Sequence, residues 1–263
     1  MPTVSEDDFD VYYEVHGEGT PLVFLHGGGG NHAAWYQQLP HFEKNYKVVL
    51  IDLPGFGLST VRNGKYDMSI HVPAIEAVVE DLGIDEKVFI VSQSLGGYGS
   101  LVYTVDNPDR VAGLVMASTL GPFGEEMAEL AKVGRASVAH LSVADFLLTK
   151  EFQEDEPARV ALFFQLGSFN ETGPGRPNRL KATLAGTVPL QKVREAIAAG
   201  VQLTVIEGGA DVMAYRPAYA KLRELVPTAD VRLVEGAPHS DYWENPERFN
   251  TVVDEALAKV YGA

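Results

Sequence analysis

The sequence contains no cysteine. Disulfides, thiolate nucleophiles and thiolate metal sites are therefore excluded together, and the absence fits a cytoplasmic location. No run reaches the roughly 18 apolar residues that a membrane-spanning helix needs, so no membrane partner is expected. The opening MPTVSEDDFD is acidic and has no apolar stretch, so it does not read as a signal peptide. Basic residues are scarce: 21 Lys and Arg stand against 36 Asp and Glu, for a formal charge of −15. That balance repels nucleic acid and anionic membrane surfaces and serves solubility. The glycine run at 27–30 is not part of a GxGxxG, and no Lys-Ser or Lys-Thr follows it. A dinucleotide fingerprint and a P-loop both fail there.

What is present is the ordinary stuff of a globular enzyme. The 263 residues are 46% hydrophobic and 22% charged, and the length suits one α/β domain carrying an inserted piece. Short apolar runs alternate with amphipathic stretches. Val11–His16, Pro21–Leu25, Tyr46–Ile51, Lys87–Val91, Val111–Ala117, Gln202–Glu207 and Val231–Val234 read as strands. Helices are expected from Asn31 or His32 toward Phe42, over Val72–Leu82 and Leu95–Asp106, near Tyr215–Leu225, and from Pro246 to Val260. Strands such as KVVLI and VFIV have no polar alternation, which marks burial on both faces of a mainly parallel sheet. In such sheets the chemistry lies beyond the carboxyl ends of the strands. Residues 122–190 break the alternation with helical stretches at Glu125–Val133 and Ala158–Leu166 and a loop, ETGPGRPN. This segment reads as a helical cap inserted into a core of residues 1–121 and 191–263.

After the strand VFIV comes VSQSLGGYGS. Ser92, Ser94 and Gly96 give the small-x-Ser-x-Gly spacing of a sharp strand-to-helix turn, in which the neighbours two before and two after must be small. Ser94 would stand at the start of a helix, where backbone N–H groups favour negative charge. Serine is a poor nucleophile near neutral pH and needs a base. Of seven histidines, His239 alone follows the last strand, in EGAPHSDYWENPERF, where the chain order Ser…Asp…His puts it. A carboxylate must orient that imidazole. Asp211, after the strand LTVIE and Gly208-Gly209-Ala210, is the choice; Glu207 is its rival, and Asp52 reads as a structural carboxylate of the LPGFG turn. Developing negative charge would be met by the N–H of Leu95 and by one from the glycine run, assigned to Gly28. His26 braces that run.

The segments FLHGGGGNHAAW, VVLIDLPGFGLS, VSQSLGGYGS, NPDRVAGLVM, IEGGAD and GAPHSDYWENPERF resemble, in this order, those of the α/β-hydrolase superfamily. The resemblance covers nearly the whole chain outside 122–190. It implies a mostly parallel eight-stranded sheet with helices on both faces and a lid, and a two-step acyl-enzyme mechanism that needs no cofactor or metal. The HGGGG run is similar to that of the meta-cleavage-product hydrolases, which cut carbon–carbon bonds in vinylogous diketo acids. Here, however, Asn31 follows Gly30 without a proline, and Ser240 follows His239 where those enzymes tend to carry Trp. Ser94 sets the chain apart from haloalkane dehalogenases and epoxide hydrolases, which use an Asp nucleophile, and the HGGPG loop of proline iminopeptidases is missing.

The expected substrate is a small apolar ester-like molecule, with carbon–carbon cleavage and ligand binding at low turnover as alternatives and homodimerisation left open. Gly27, His32 and Trp35 are placed at the pocket, with core packing the alternative for the last two. The cap's six phenylalanines read first as ordinary cap core, with a substrate pocket the alternative, for which Phe123, Phe146 and Phe164 are taken as the substrate-facing aromatics. Arg159, Arg176 and Arg179 read first as solvated surface residues, with pairing to a substrate carboxylate, as a carbon–carbon hydrolase would need, the alternative.

Overall fold

The computed structural model describes residues 2–62, 66–170 and 186–262. Strands β1 (Thr3–Ser5), β2 (Phe9–His16), β3 (Thr20–Leu25) and β4 (Tyr46–Ile51) lead to the two-residue β5 (Thr60–Val61), followed by β6 (Val88–Gln93), β7 (Val111–Ala117), β8 (Gln202–Gly208) and β9 (Asp230–Val234). They form one sheet in the order β1-β2-β4-β3-β6-β7-β8-β9, with β5 attached to β2. The expected eight strands are therefore the main path, and β5 makes a ninth by pairing Thr60 and Val61 with Asp10 and Phe9. The β1–β2 and β2–β4 pairs are antiparallel, and every pair from β4 through β3 to β9 is parallel.

Helices α1 (Leu39–Phe42), α2 (His71–Asp81) and α3 (Gly96–Asp106) connect the first strands. Between β7 and β8 lie α4 (Glu125–Val138), α5 (Val143–Leu147), α6 (Lys150–Asp155), α7 (Pro157–Ser168) and α8 (Leu190–Ala198). The chain finishes with α9 (Arg216–Leu225), α10 (Asp241–Glu244) and α11 (Pro246–Tyr261). No described helix is long and apolar enough to cross a membrane. The expected helix from Asn31 toward Phe42 divides into a 3₁₀ turn, His32–Trp35, and α1. Pro40 in the first turn of α1 cannot supply a backbone N–H to a helix arriving from upstream, so one continuous helix cannot form.

The sheet separates two apolar layers. Val23, Leu25, Val49, Ile90 and Leu114 face one core with α2, α3, α8 and α9; Leu22, Phe24, Leu50, Phe89 and Val115 face the other with α11. Alternate residues of one strand thus feed opposite cores, which is why β6 and β7 are buried along their whole length. The two layers hold the carboxyl ends of β3, β6, β8 and β9 in register, and the loops that leave those ends meet at one place.

Candidate active site

Ser94 sits between β6 and α3 with φ of +48°, a left-handed conformation that costs a non-glycine residue energy and persists only where the surroundings impose it. The surroundings are visible. A methyl group on Gly96 would lie 2.7 Å from the Leu25 carbonyl oxygen and 2.9 Å from that of His26, so α3 begins hard against the end of β3. Ser92 fits at the preceding small position because its buried hydroxyl donates to the Val115 carbonyl at 3.1 Å while accepting from Ser100. The turn lifts Ser94 into partial exposure at the amino end of α3, where the first backbone N–H groups have no helical partner.

His239 lies 3.1 Å from the Ser94 hydroxyl through Nε2 and 3.0 Å from Asp211 Oδ2 through Nδ1. Asp211 is buried, and its other oxygen accepts from the Met213 amide at 2.8 Å. The carboxylate is thus fixed at both oxygens and can hold the proton of His239 on Nδ1, leaving Nε2 free to accept one from Ser94. The rival Glu207 is buried but points to α9, where Arg223 donates to it at 2.7 Å. Asp52 acts as expected at its turn: it accepts from the amides of His32 (2.6 Å) and Leu58 (2.7 Å).

The glycine run faces the nucleophile. A methyl group on Gly27 would lie 3.3 Å from Ser94 Cβ, and one on Gly28 would lie 3.4 Å from Leu95 Cδ1. Gly28 thus packs against Leu95, the residue after Ser94, so the two residues expected to donate N–H groups lie side by side. His26 braces the run: its Nε2 accepts from the Leu53 amide at 3.0 Å, which leaves the Nδ1 proton to donate to the Gly27 carbonyl at 2.7 Å.

A cavity of about 20 Å³, room for little more than one water, lies over Ser94 and His239. Its walls include Gln93, Leu147, Phe163, Ser240 and Tyr242 beside the glycine run. A larger open groove of about 560 Å³ along Asp8, Arg62 and Asp67 shares no residue with it and holds none of this chemistry. Gly27 lies in the cavity wall, and Phe146 reaches His239 edge-on at 6.2 Å.

Four other expectations for the pocket fail. Trp35 is fully buried, packed on Phe24, Tyr242 and Phe249 in the core. His32 is held by Asp52 at 2.8 Å and by Glu14 at 3.6 Å. Phe123 is fully buried in the opposite core, where its backbone forms an isolated β-bridge with Val188. Phe164 is 38% exposed, and its neighbour Phe163 takes the inward position. Val160, Phe163 and Leu166 share the packed face of α7, a three-residue spacing that singles out 163 over 164. Arg159 does not face the cavity either: it donates to the Trp243 carbonyl and to Gln37 Oε1, and lies over the Phe152 ring. Arg176 and Arg179 lie outside the described residues. Among the described residues, no three His, Asp or Glu side chains gather as a metal site would require.

A strained serine on a strand–turn–helix, with a histidine and a carboxylate from later loops of the same sheet, is the arrangement of an α/β-hydrolase. A family model described as the alpha/beta hydrolase fold matches residues 20–165, more than half of the chain, and the protein belongs to that family. Over 122 residues it is 31% identical to 2-hydroxy-6-oxo-6-phenylhexa-2,4-dienoate hydrolase of Comamonas testosteroni, which covers 44% of this chain and 41% of that one. The match thus spans about two-fifths of that relative's length. An esterase from Thermogutta terrifontis superposes with a TM-score of 0.77 at 20% identity, covering 99% of this chain and 98% of its own. The enol-lactonase of Burkholderia xenovorans gives 0.76 at 21% identity, with 98% and 100% covered. At those identities the likeness establishes the fold.

Proposed function

We propose that the protein is a serine hydrolase that cleaves a carboxylic ester or lactone through an acyl-enzyme intermediate. The observation that carries this reading is the unbroken line of hydrogen bonds from Ser94 through His239 to Asp211, at 3.1 and 3.0 Å. Ser94 Oγ attacks the carbonyl carbon as its proton passes to His239 Nε2. The tetrahedral oxyanion is met by the N–H groups of Leu95 and Gly28, each worth about 3 kcal/mol of transition-state stabilisation. His239 then gives its proton to the departing alkoxide. In the second half His239 takes a proton from water, the hydroxide attacks the acyl carbon, and the acid leaves as Ser94 recovers its proton.

The segment 122–190 serves as a cap over a core of residues 1–121 and 191–263. Leu147 and Phe163 from this segment present apolar surface to the cavity, which supports an apolar acyl group. The cavity holds about one water, so an acyl group needs its walls to give way.

The test is hydrolysis of p-nitrophenyl acetate and butyrate by the purified protein beside Ser94→Ala. Turnover that falls by about 10⁴-fold or more in the variant is the expected result. Turnover that survives in Ser94→Ala would sink the mechanism. The name of the Comamonas relative favours a second reading, hydrolysis of a dienoate carbon–carbon bond. Turnover of such a diketo acid with none of either ester would establish that one instead.

A further inference from the structure

The turn that would supply the Gly28 amide is not held by its own residues alone. Its tip is gripped from the segment between β7 and β8. Asn170, buried two residues past α7, donates from Nδ2 to the carbonyls of Gly29 (3.2 Å) and Gly30 (3.0 Å) and accepts at Oδ1 from the Gly57 amide (2.7 Å). Three residues earlier, Gly167 lies so near the turn that a methyl group on it would stand 2.7 Å from the Gly29 oxygen. Asn31 closes the contact from the other side by donating to the Leu166 carbonyl at 2.9 Å. The asparagine that follows the glycine run where a proline could stand is therefore a tie to α7.

The consequence follows from planar trans peptides, in which C=O and N–H point in opposite directions. Asn170 fixes the Gly29 carbonyl on the α7 side, which aims the Gly30 N–H the other way, onto the Gly27 carbonyl at 3.0 Å. The Gly27 carbonyl, held by Gly30 N–H and by His26, in turn aims the Gly28 N–H away from itself. Two anchored peptide planes, Gly29–Gly30 and Gly27–Gly28, are thus linked by the Gly30-to-Gly27 hydrogen bond between Asn170 and the donor assigned to the oxyanion. Glycines have little conformational preference of their own, so the grip at Gly29 and Gly30 adds to the brace from His26 in holding this orientation.

We propose that Asn170 is a positioning residue for the oxyanion pocket, so that seating of α7 and correct aim of the Gly28 amide are a single event. The proposal rests on the reading of Ser94 as nucleophile. Its test separates the two. Asn170→Asp keeps size and the acceptor for Gly57 but removes the donors to the two glycine carbonyls. Gly167→Ala places a methyl group against the Gly29 oxygen, which must shift, while the gain in helix propensity offsets part of the cost of that clash.

With p-nitrophenyl butyrate, both variants should lose about 10- to 100-fold in kcat, the scale of a misplaced catalytic group, with KM within about threefold. Inhibition by butaneboronic acid, whose tetrahedral adduct on serine needs the oxyanion donors, should weaken in step with kcat, while inhibition by the product butyrate should not move. Both variants should still unfold in a single cooperative transition, so that the loss of kcat is not a loss of fold. If Ser94→Ala abolishes turnover but kcat and boronate inhibition in both variants stay within twofold of wild type, the positioning role is wrong and the nucleophile assignment stands. If Ser94→Ala retains turnover, both fall.

Discussion

The side chain of Gln93 donates to the backbone carbonyl of His239 at 3.0 Å. The residue immediately before Ser94 therefore tethers the loop of the proposed base across 146 positions of sequence. Gln93 is buried and sits so close to the glycine run that a methyl group on Gly27 would fall 1.9 Å from its Oε1. One amide thus spans the elbow, the base loop and the oxyanion loop.

Replacing Gln93 by Met preserves the volume and removes the donor. The His239 loop then loses one buried hydrogen bond, worth about 1 kcal/mol. Ester turnover should fall about five- to tenfold in kcat with KM little changed. Gln93→Glu should be the poorer enzyme, because a carboxylate oxygen would face the His239 carbonyl with no proton between them. Steady-state kinetics of the two variants checks the order Gln, Met, Glu; equal activity in all three would leave the tether without a role.

The acid admits a sharper comparison. Asp211 accepts on one oxygen from Met213 N–H and on the other from His239 Nδ1. An asparagine has one oxygen for these two donors. If it keeps Met213, its NH₂ group faces Nδ1, which must then accept, and the ring proton moves to Nε2, where it blocks transfer from Ser94. Asp211→Asn should therefore lower kcat by about 10⁴-fold. Glu207→Gln removes the partner of Arg223 instead. Arg223 is 39% exposed and can turn to water, so the cost should be about 1–2 kcal/mol of stability rather than the 3–5 of a fully buried pair, with activity kept within about twofold. Kinetics and urea unfolding on the two variants check the division; a large activity loss in Glu207→Gln alone would reassign the acid.

Much of this was legible in the residues. β4 and β7 fall on Tyr46–Ile51 and Val111–Ala117 as read from the sequence, because the stretches buried on both faces, Val48–Ile51 and all of β7, carry no polar residue. β1 and β5 carry no such signature. They are short, partly exposed and paired with β2, so their structure comes from the neighbour rather than from their own pattern. At the site, chain order and turn chemistry pick out Ser94, Asp211 and His239, which the structure brings into contact. What stayed hidden were long-range polar ties such as Gln93 to His239 and Asn170 to Gly29, since a hydrogen bond across more than a hundred residues leaves no local periodicity. Aromatic content also misled: a phenylalanine or tryptophan near a motif is chosen for core volume as readily as for substrate, as Trp35 and Phe123 show.

His32 illustrates a polar residue whose task is the fold. Burial opposes its charge, but the hydrogen bond to Asp52, the Asp52 charge and the Glu14 charge outweigh that and hold its pKa above the usual value. A base whose folded pKa is raised stabilises the fold fully at pH below its unfolded value, about 6.5, and that contribution is lost as pH climbs through the folded pKa. The neutral ring keeps its Nδ1 proton for Asp52 at 2.8 Å, so what disappears is the ion pairing with Asp52 and Glu14. His32→Gln can still donate toward Asp52 but carries no charge at any pH. The wild type should therefore out-melt His32→Gln by more at pH 6 than at pH 9, as followed by thermal unfolding across that range. A gap independent of pH, or one that widens toward pH 9, would show that His32 is neutral in the folded protein.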